Sequence, residues 1–196
     1  MPNAHPVPIT IGCLASGRGR TVLHLHELCQ TGRIRGRVGV VIVSRPDAAA
    51  ARRCREAGLD VEVVAPGERI DEGIDDVLLS HDVNLVCLCG YLRPFRVDRW
   101  RGRCLNVHPA LLPRHGGPGM WGTRVHAAVL ASGDTQSGCT IHEVDEQYDH
   151  GTPIIQRRCP VLADDTPQSL ADRVFIEECA AWPIAIDRWL AMRVNG

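Results

Sequence analysis

Residues 8–21 read P-I-T-I-G-C-L-A-S-G-R-G-R-T, and this stretch decides the fold. Its first eight residues are an apolar run of strand length, which predicts a buried β-strand. The S-G-R-G-R-T segment that follows is rich in glycine and leads into a predicted helix at 21–30. A strand, a glycine turn and a helix in this order form the first unit of an α/β fold.

The same alternation continues through the first two thirds of the chain. We predict further strands at 37–44, 60–64, 84–89 and 103–107, and helices at 46–58 and 71–81. Because these strands are almost continuously apolar, they fit a parallel sheet that helices cover on both faces. The sequence therefore predicts an α/β fold with an open, mostly parallel, Rossmann-like sheet.

The pattern changes in the last third of the chain. Two predicted strands, at 138–144 and 153–161, have no helix between them, which favours a hairpin or long loop and an antiparallel extension of the sheet. A final helix is predicted from Thr166, where T-P-Q-S offers an N-cap and a first-turn proline, to Met192, with an interruption near Pro183. No repeat or linker divides the chain, so residues 1–196 are predicted to be a single domain.

The composition excludes several classes of protein. The formal net charge is −1, so no global field would recruit nucleic acid or an anionic membrane. All 22 basic residues are arginine, which excludes a lysine Schiff base and a Walker A phosphate loop. The nine cysteines include no C-x-x-C pair, so neither a disulfide framework nor a zinc ribbon fits. With no signal-peptide pattern and no bilayer-spanning segment, the expected location is the cytoplasm.

Polar loops follow the carboxyl ends of several predicted strands, which is where ligands bind in an open α/β sheet. The segments concerned are 16–21, 90–95 and 106–109, and the acidic segment 145–151 joins them from between the late strands. Acids, an amide and a histidine on converging loops can form an acid–base centre. A solvated hairpin turn is the other interpretation of the acidic segment.

Asn106 and His108 stand two apart within L-N-V-H-P-A-L-L-P, at residues 105–113. In an extended segment they project to the same face, and Pro109 ends the strand because it has no N–H to donate. The pair places an amide donor beside a group that titrates near neutrality, which makes both residues candidates for catalysis. The alternative is a surface turn after a core strand.

The S-G-R-G-R-T turn is a candidate anion site. Backbone N–H groups at the start of a helix can hold a phosphate, and Arg18 or Arg20 could add charge. The turn lacks the third glycine of a dinucleotide fingerprint, and the second strand ends in Ser44–Arg45 rather than an acid. A monophosphate therefore fits better than a dinucleotide, and a purely structural tight turn is the alternative.

The remaining histidines and the tryptophans carry no chemical pattern. His24, His26, His126 and His142 have no metal-ligand spacing, so no metal site is predicted, and we assign them to packing or to the surface. The four tryptophans are assigned to the core or to the rim of a site.

Two longer stretches carry a resemblance: N-V-H-P-A-L-L-P at 106–113 and S-G-C-T-I-H-E-V-D-E-Q-Y-D-H-G-T-P-I at 137–154. Together with the glycine turn they resemble the phosphoribosylglycinamide formyltransferase family over about residues 9–183. The resemblance implies an open, mostly parallel sheet and a folate-dependent enzyme of purine synthesis. Its members transfer a formyl group from 10-formyltetrahydrofolate to the glycinamide amine.

The resemblance also implies roles for particular positions. Asn106, His108 and Asp149 match the family's catalytic residues: the first two would stabilise the oxyanion of a tetrahedral intermediate, and Asp149 would favour the charged histidine and order a water. The expected acceptor-binding residues are Gly19, Arg20 and Thr21 for the phosphate and Glu178 for the ribose. The expected folate-binding residues are Leu92, Arg93, Pro94, Phe95, Val144 and Glu146. The implied partners are small molecules, without metal, nucleic acid or membrane, and the oligomeric state is left open between monomer and homodimer.

Two departures from the family pattern border the acceptor pocket. Many members have Ser-Asn where this chain has Arg20 and Thr21, and the stretch after Pro113 is longer than in many relatives. A formyltransferase acting on a different small amine is therefore the main enzymatic alternative. Methionyl-tRNA formyltransferase and formyltetrahydrofolate deformylase resemble the chain too, but each adds a further domain. A non-catalytic folate or nucleotide sensor, or an NADP-dependent oxidoreductase that uses Arg45, are the alternatives from other classes.

Overall fold

A computed structural model describes residues 8–194, and a seven-stranded sheet organises them. The strands are β1 (Ile9–Ala15), β2 (Gly36–Val43), β3 (Val61–Val63), β4 (Leu85–Leu88), β5 (Cys104–His108), β6 (Gln136–Glu143) and β7 (Pro153–Pro160). The helices are α1 (Arg20–Gln30), α2 (Ala49–Glu56), α3 (Ile70–Ser80), α4 (Thr123–Ala131) and α5 (Pro167–Val194). A short 3₁₀ turn at Asp98–Trp100 precedes β5.

The strand order β3-β2-β1-β4-β5-β6-β7 confirms the predicted open sheet. Strands β1 to β5 pair in parallel, and β6 and β7 add the predicted antiparallel extension. The chain moves outward from β1 to β3 and then restarts on the other side of β1 with β4. This reversal opens a crevice at the carboxyl ends of β1 and β4, where ligands bind in folds of this type.

Helices cover both faces of the sheet, and β1 shows how the sequence achieves this. Cys13 belongs to the larger apolar cluster, which includes side chains of α1, α2 and α5. Leu14 points to the smaller cluster, which includes Leu78 of α3. Gly12 faces the same cluster as Leu14, and a Cβ there would lie 2.3 Å from Leu78 Cδ2. The alternation of β1 side chains thus fixes the two layers of helices on the sheet.

The predicted interruption of the last helix is wrong: α5 continues through Pro183 over 28 residues. A proline has no N–H, so the carbonyl of Cys179, four residues earlier, loses its helical donor. His24 on α1 replaces that donor, with its Nε2 3.0 Å from the Cys179 oxygen. Within residues 8–194 no helix is both long enough and apolar enough to cross a lipid bilayer, and this includes α5.

The second helix is shorter than predicted, because α2 begins at Ala49 rather than at residue 46. Ala48 is extended, with ψ 136°, and this turns the backbone so that the Ala50 N–H donates to the Gly17 carbonyl at 3.2 Å. The contact ties α2 to the glycine turn after β1. At the other end Gly58, with φ +78°, stops the helix as predicted.

Candidate active site

A cavity of about 690 Å³ opens at the carboxyl ends of β1, β4 and β5. Its walls come from the loops after these three strands, from residues 117–123, from the loop after β6 and from α5. All residues that the sequence assigned to catalysis and to phosphate, ribose and folate binding line this one cavity. The fold therefore brings together positions that are separated by up to about 160 residues along the chain.

Three side chains meet at the end of β5. Asn106 Nδ2 lies 3.4 Å from Asp149 Oδ1, and His108 Nδ1 lies 3.3 Å from Asp149 Oδ2. The two β5 side chains share a face because they alternate along the strand. Asp149 comes from the loop after β6 and has a left-handed backbone, with φ +56°. The expected residues thus form one hydrogen-bonded group.

The second ring nitrogen of His108 also faces an acceptor. His108 Nε2 lies 2.8 Å from the carbonyl oxygen of His115. A carboxylate on one side and a carbonyl on the other offer no donor to the ring, so the form with an N–H at both nitrogens satisfies both contacts. The geometry therefore favours a positively charged imidazole inside the cavity.

Asp149 carries the matching negative charge. Its burial by itself would raise the pKa of the carboxyl. The carboxylate accepts hydrogen bonds from Asn106 and His108, and the one from His108 outweighs burial and holds the pKa well below its usual range. The backbone N–H of Gly117 adds a third hydrogen bond, 2.9 Å from Asp149 Oδ2. Asp149 is therefore ionised over the whole range of physiological pH.

The glycine turn after β1 forms one end of the cavity. Gly19 precedes α1 with φ +71°, and a Cβ there would lie 3.2 Å from the Cα of Ala50, so the position requires glycine. Among the described residues no side chain caps α1 and no acid lies in its first turn. The free N–H groups and the helix dipole give this end of the cavity a partial positive charge.

Arg20 is already paired within the protein. Its guanidinium lies 3.0 Å from Asp172 and 4.2 Å from the centre of the Phe175 ring, both on α5. Glu178, one turn further along α5, is half-buried, and burial raises its pKa to about 7 against the opposing effects of Arg20 and His108. This end of the cavity thus combines a helix N-terminus, an arginine and a carboxyl group that titrates near neutrality.

The predicted folate loops form the other walls of the cavity. Leu92 and Tyr148 are exposed at its rim, at 46% and 49%, whereas Phe95 packs into the apolar cluster under α3. Arg101 forms an ion pair with Glu146 on the loop after β6. An apolar rim with a few fixed polar groups is typical of a site for a small-molecule ligand.

Comparison with known proteins agrees with this geometry. Residues 10–186 match the sequence family described as formyl transferase. The chain belongs to this family. The match includes every residue of the hydrogen-bonded group on β5 and the loop after β6.

Relatives within the formyl transferase family are similar over most of the chain. The chloroplastic phosphoribosylglycinamide formyltransferase of Arabidopsis thaliana is 39% identical over 86% of the chain, which spans 61% of that relative's length. The phosphoribosylglycinamide formyltransferase of Escherichia coli is 31% identical, with 93% of this chain and 87% of the relative covered. The crystal structure of glycinamide ribonucleotide transformylase 1 from Symbiobacterium toebii has a TM-score of 0.85 and 37% identity, with 91% and 86% of the two chains covered. The resemblance seen in the sequence is therefore confirmed.

Two histidines that the sequence assigned to packing or to the surface are buried and also line the cavity of this formyl transferase. His142 Nδ1 donates to the Glu143 carbonyl at 2.8 Å, so its Nε2 accepts from Asn106 Nδ2 at 3.0 Å. His142 pairs directly with Asn106 across β5 and β6. The signal in the sequence was the alternation of Thr140 and His142 with apolar residues on β6, which marks a polar face in a buried strand.

His126 of α4 is the second of these residues. It lines the cavity, is 4% exposed, and its Nδ1 has no hydrogen-bond partner among the described residues. Burial lowers its pKa to about 4, with His108 and Arg20 adding to the effect, so the ring is neutral. No local pattern in the sequence distinguished this histidine from a packing residue.

One group of possible metal ligands lies apart from the formyl transferase cavity. Asp60, Glu62 and His81 have ligand atoms within 4.8 Å of one another, and none of them lines the cavity. His81 Nε2 lies 3.0 Å from Asp60, and a hydrogen bond to the Val77 carbonyl, together with Asp60, raises the pKa of His81. A protonated His81 therefore accounts for this contact as an ordinary ion pair.

Proposed function

We propose that this formyl transferase moves a formyl group from 10-formyltetrahydrofolate to the amine of glycinamide ribonucleotide. The observation that carries the proposal is the contact of Asn106, His108 and Asp149 within one cavity that also contains an uncapped helix N-terminus. The names of the Escherichia coli and Symbiobacterium relatives support the same acceptor. No metal ion takes part in the proposed reaction.

The reaction needs stabilisation of a negative charge that is absent from the reactants. The acceptor nitrogen attacks the formyl carbon, and the carbonyl oxygen becomes an oxyanion. His108, charged and beside this carbon, would stabilise the oxyanion electrostatically. Asn106 would donate a hydrogen bond to the oxyanion. Its 3.4 Å contact with Asp149 is the longest among Asn106, His108 and Asp149, and is therefore the easiest to exchange for a contact with the substrate. The carbon–N10 bond of the folate then breaks.

Proton transfer completes the reaction. The attacking amine must lose a proton, and N10 of the leaving tetrahydrofolate must gain one. Asp149 is ionised, and it would order a water that carries the proton between them. The net change is one formyl group for one proton. Because the amine attacks the formyl carbon directly, the proposed reaction uses no covalent enzyme intermediate and no thiol.

The acceptor end of the cavity matches a sugar phosphate. Backbone N–H groups of Arg20 and Thr21 would bind the phosphate at the start of α1. Glu178 would accept hydrogen bonds from ribose hydroxyls. The loop residues Leu92 and Tyr148 would contact the flat pterin and benzoyl groups of the folate at the other end of the cavity.

A different small amine is the second candidate for the acceptor, and the pairing of Arg20 favours it. The arginine side chain is already neutralised by Asp172, so it adds less charge to the turn than a free arginine would. A smaller acceptor without a phosphate would use the same Asn106–His108–Asp149 group.

A formyl-transfer assay with a set of acceptors tests the proposal. The purified protein is given 10-formyltetrahydrofolate and, in turn, glycinamide ribonucleotide, its dephosphorylated form and other small primary amines. We expect the ribonucleotide to have the highest kcat/KM by more than tenfold. A different preferred amine would leave the reaction class intact but refute the acceptor, and release of free formate alone would refute the transfer reaction.

A further inference from the structure

The loop after Pro113 contacts both charged groups of the cavity through its backbone. The carbonyl of His115 accepts from His108 Nε2 at 2.8 Å, and the N–H of Gly117 donates to Asp149 Oδ2 at 2.9 Å. Residues 115–117 therefore contribute one hydrogen bond to each member of the His108–Asp149 pair. The orientation of these two side chains depends on where the loop backbone lies.

The backbone conformation of this loop is not one that the chain adopts by default. His115 has φ +56°, a left-handed conformation that residues with a side chain rarely adopt. The next residue has no room for a side chain, since a Cβ on Gly116 would lie 2.4 Å from Leu112 Cδ2 and 3.3 Å from Asp149 Cβ. Gly116 and Gly117 have no side chains that could hold the loop, so the side-chain contacts at this point come from Arg114 and His115.

Asp134, in the turn between α4 and β6, makes that contact. Its Oδ2 lies 2.7 Å from His115 Nε2, and its Oδ1 lies 2.7 Å from the Arg114 guanidinium. The side chains of His115 and Asp134 are only 14% and 16% exposed. The hydrogen bond with His115 is the main cause that lowers the pKa of Asp134, so the carboxylate is charged and the contact is an ion pair when His115 is protonated.

We propose that His115 and Asp134 are positioning residues for the catalytic centre: their contact holds the left-handed backbone at 115 so that its carbonyl orients His108. Neither side chain touches the substrate in this role. The inference rests on the proposed function for its kinetic test, whereas its structural test does not require activity. A purely stabilising role for the pair would change the unfolding temperature and leave the centre unchanged.

Two substitutions at position 115 separate these roles. His115→Phe keeps a ring of similar size and loses the donor to Asp134, whereas His115→Gln keeps an N–H donor of similar reach. We expect His115→Phe to lower kcat for formyl transfer to glycinamide ribonucleotide by about tenfold to a hundredfold, with both KM values within about twofold of wild type. His115→Gln should restore kcat to within about threefold of wild type. Arg114→Gln is the matched control, because Arg114 also pairs with Asp134 but its backbone does not contact His108.

Nitrogen-15 NMR of the histidine rings provides the readout that does not depend on activity. The His108 Nε2–H signal, assigned with His108→Ala, should shift or exchange faster in His115→Phe and stay in place in His115→Gln and Arg114→Gln. If His115→Phe does not fold, Asp134→Asn serves in its place and should move the same signal in the same direction. Wild-type kcat with an unchanged His108 signal would overturn the inference, as would raised KM values with unchanged kcat. A wild-type protein that transfers no formyl group would refute the proposed function, and the NMR result would still decide the role of the pair.

Discussion

At the scale of single residues, His108 lies between two acceptors, and its chemistry depends on both. Asp149 faces Nδ1 and the His115 carbonyl faces Nε2, at 3.3 and 2.8 Å. A ring that is held in this way keeps its orientation before substrate binds, so little reorganisation is needed when the oxyanion forms. His142 fixes the Asn106 amide beside it, with its Nε2 3.0 Å from Asn106 Nδ2.

Replacement of His108 should therefore remove most of the activity. We expect His108→Ala to lower kcat by roughly a hundredfold to ten-thousandfold, the range typical for loss of a catalytic acid or base. His150→Ala is the control: this exposed histidine is next to Asp149 in sequence and contacts Asp145, but it does not line the cavity. Turnover by His108→Ala close to that of His150→Ala would contradict the assignment.

Arg20 tests the phosphate-binding role of the turn after β1. If the acceptor phosphate binds at the start of α1, Arg20→Ala should raise KM for glycinamide ribonucleotide severalfold and leave kcat largely unchanged, because a remote phosphate is bound equally in ground and transition states. The dephosphorylated acceptor should be affected much less. Arg33→Ala is the matched control, since Arg33 forms a similar ion pair with α5, 2.9 Å from Asp187, away from the cavity. Equal effects on both acceptors would contradict a phosphate site.

Glu178 should make the ligand-free protein less stable as pH rises. Its pKa is raised to about 7 in the folded protein, whereas an unfolded glutamate titrates near 4.5. Between these two values the folded state binds more protons than the unfolded state, so the free energy of unfolding falls with increasing pH. The Glu178→Gln variant lacks the titrating group, so it should not lose this unfolding free energy, which is on the order of 2 kcal/mol. Above pH 7 the variant should therefore be more stable than wild type. Denaturant unfolding of both proteins between pH 4.5 and 8 measures the difference in their unfolding free energies, which should change with pH. A difference that is the same at every pH would contradict the raised pKa of Glu178.

At the scale of elements, a hydrogen bond from α1 lets α5 continue past its proline. Pro183 leaves the Cys179 carbonyl without its helical donor, and His24 of α1 supplies another. The contact joins residues 155 apart in the chain, in a region that is partly buried. It explains why a proline near the middle of α5 does not end the helix.

A double-mutant cycle checks this account. His24→Phe in the wild-type protein leaves the Cys179 carbonyl unsatisfied and should cost about 1–3 kcal/mol of unfolding free energy. In a Pro183→Ala background the alanine N–H can donate to the same carbonyl, so the same substitution should cost less. A coupling energy near zero would show that His24 does not replace the missing donor.

At the scale of the whole molecule, all nine cysteines are free and seven of them are buried. Burial raises the pKa of the Cys54 and Cys179 thiols to about 11. Because the thiolate is the reactive form, these residues behave as small apolar side chains and not as nucleophiles.

The folded protein should therefore react slowly with a thiol reagent such as dithionitrobenzoate, and all nine thiols should react after unfolding in guanidinium. Formyl transfer should persist until unfolding begins. A single thiol that reacts at the rate of free cysteine and abolishes activity would contradict a mechanism without a covalent intermediate, and so would a trapped formyl thioester.

The sequence by itself determined the layers of the fold and most of the cavity lining. Alternation of apolar strands with helices is a local pattern, and parallel strands place the loops at their carboxyl ends on one edge, so Asn106 and His108 could be placed together from their spacing alone. Only the tertiary structure decided three other features. The pairing of His142 with Asn106 depends on the register of β5 and β6, the accommodation of Pro183 depends on α1, and the carbonyl of His115 reaches His108 through a left-handed backbone. The geometry of these three contacts is set by distant packing or by an uncommon backbone angle. The local periodicity of hydrophobic residues encodes none of them.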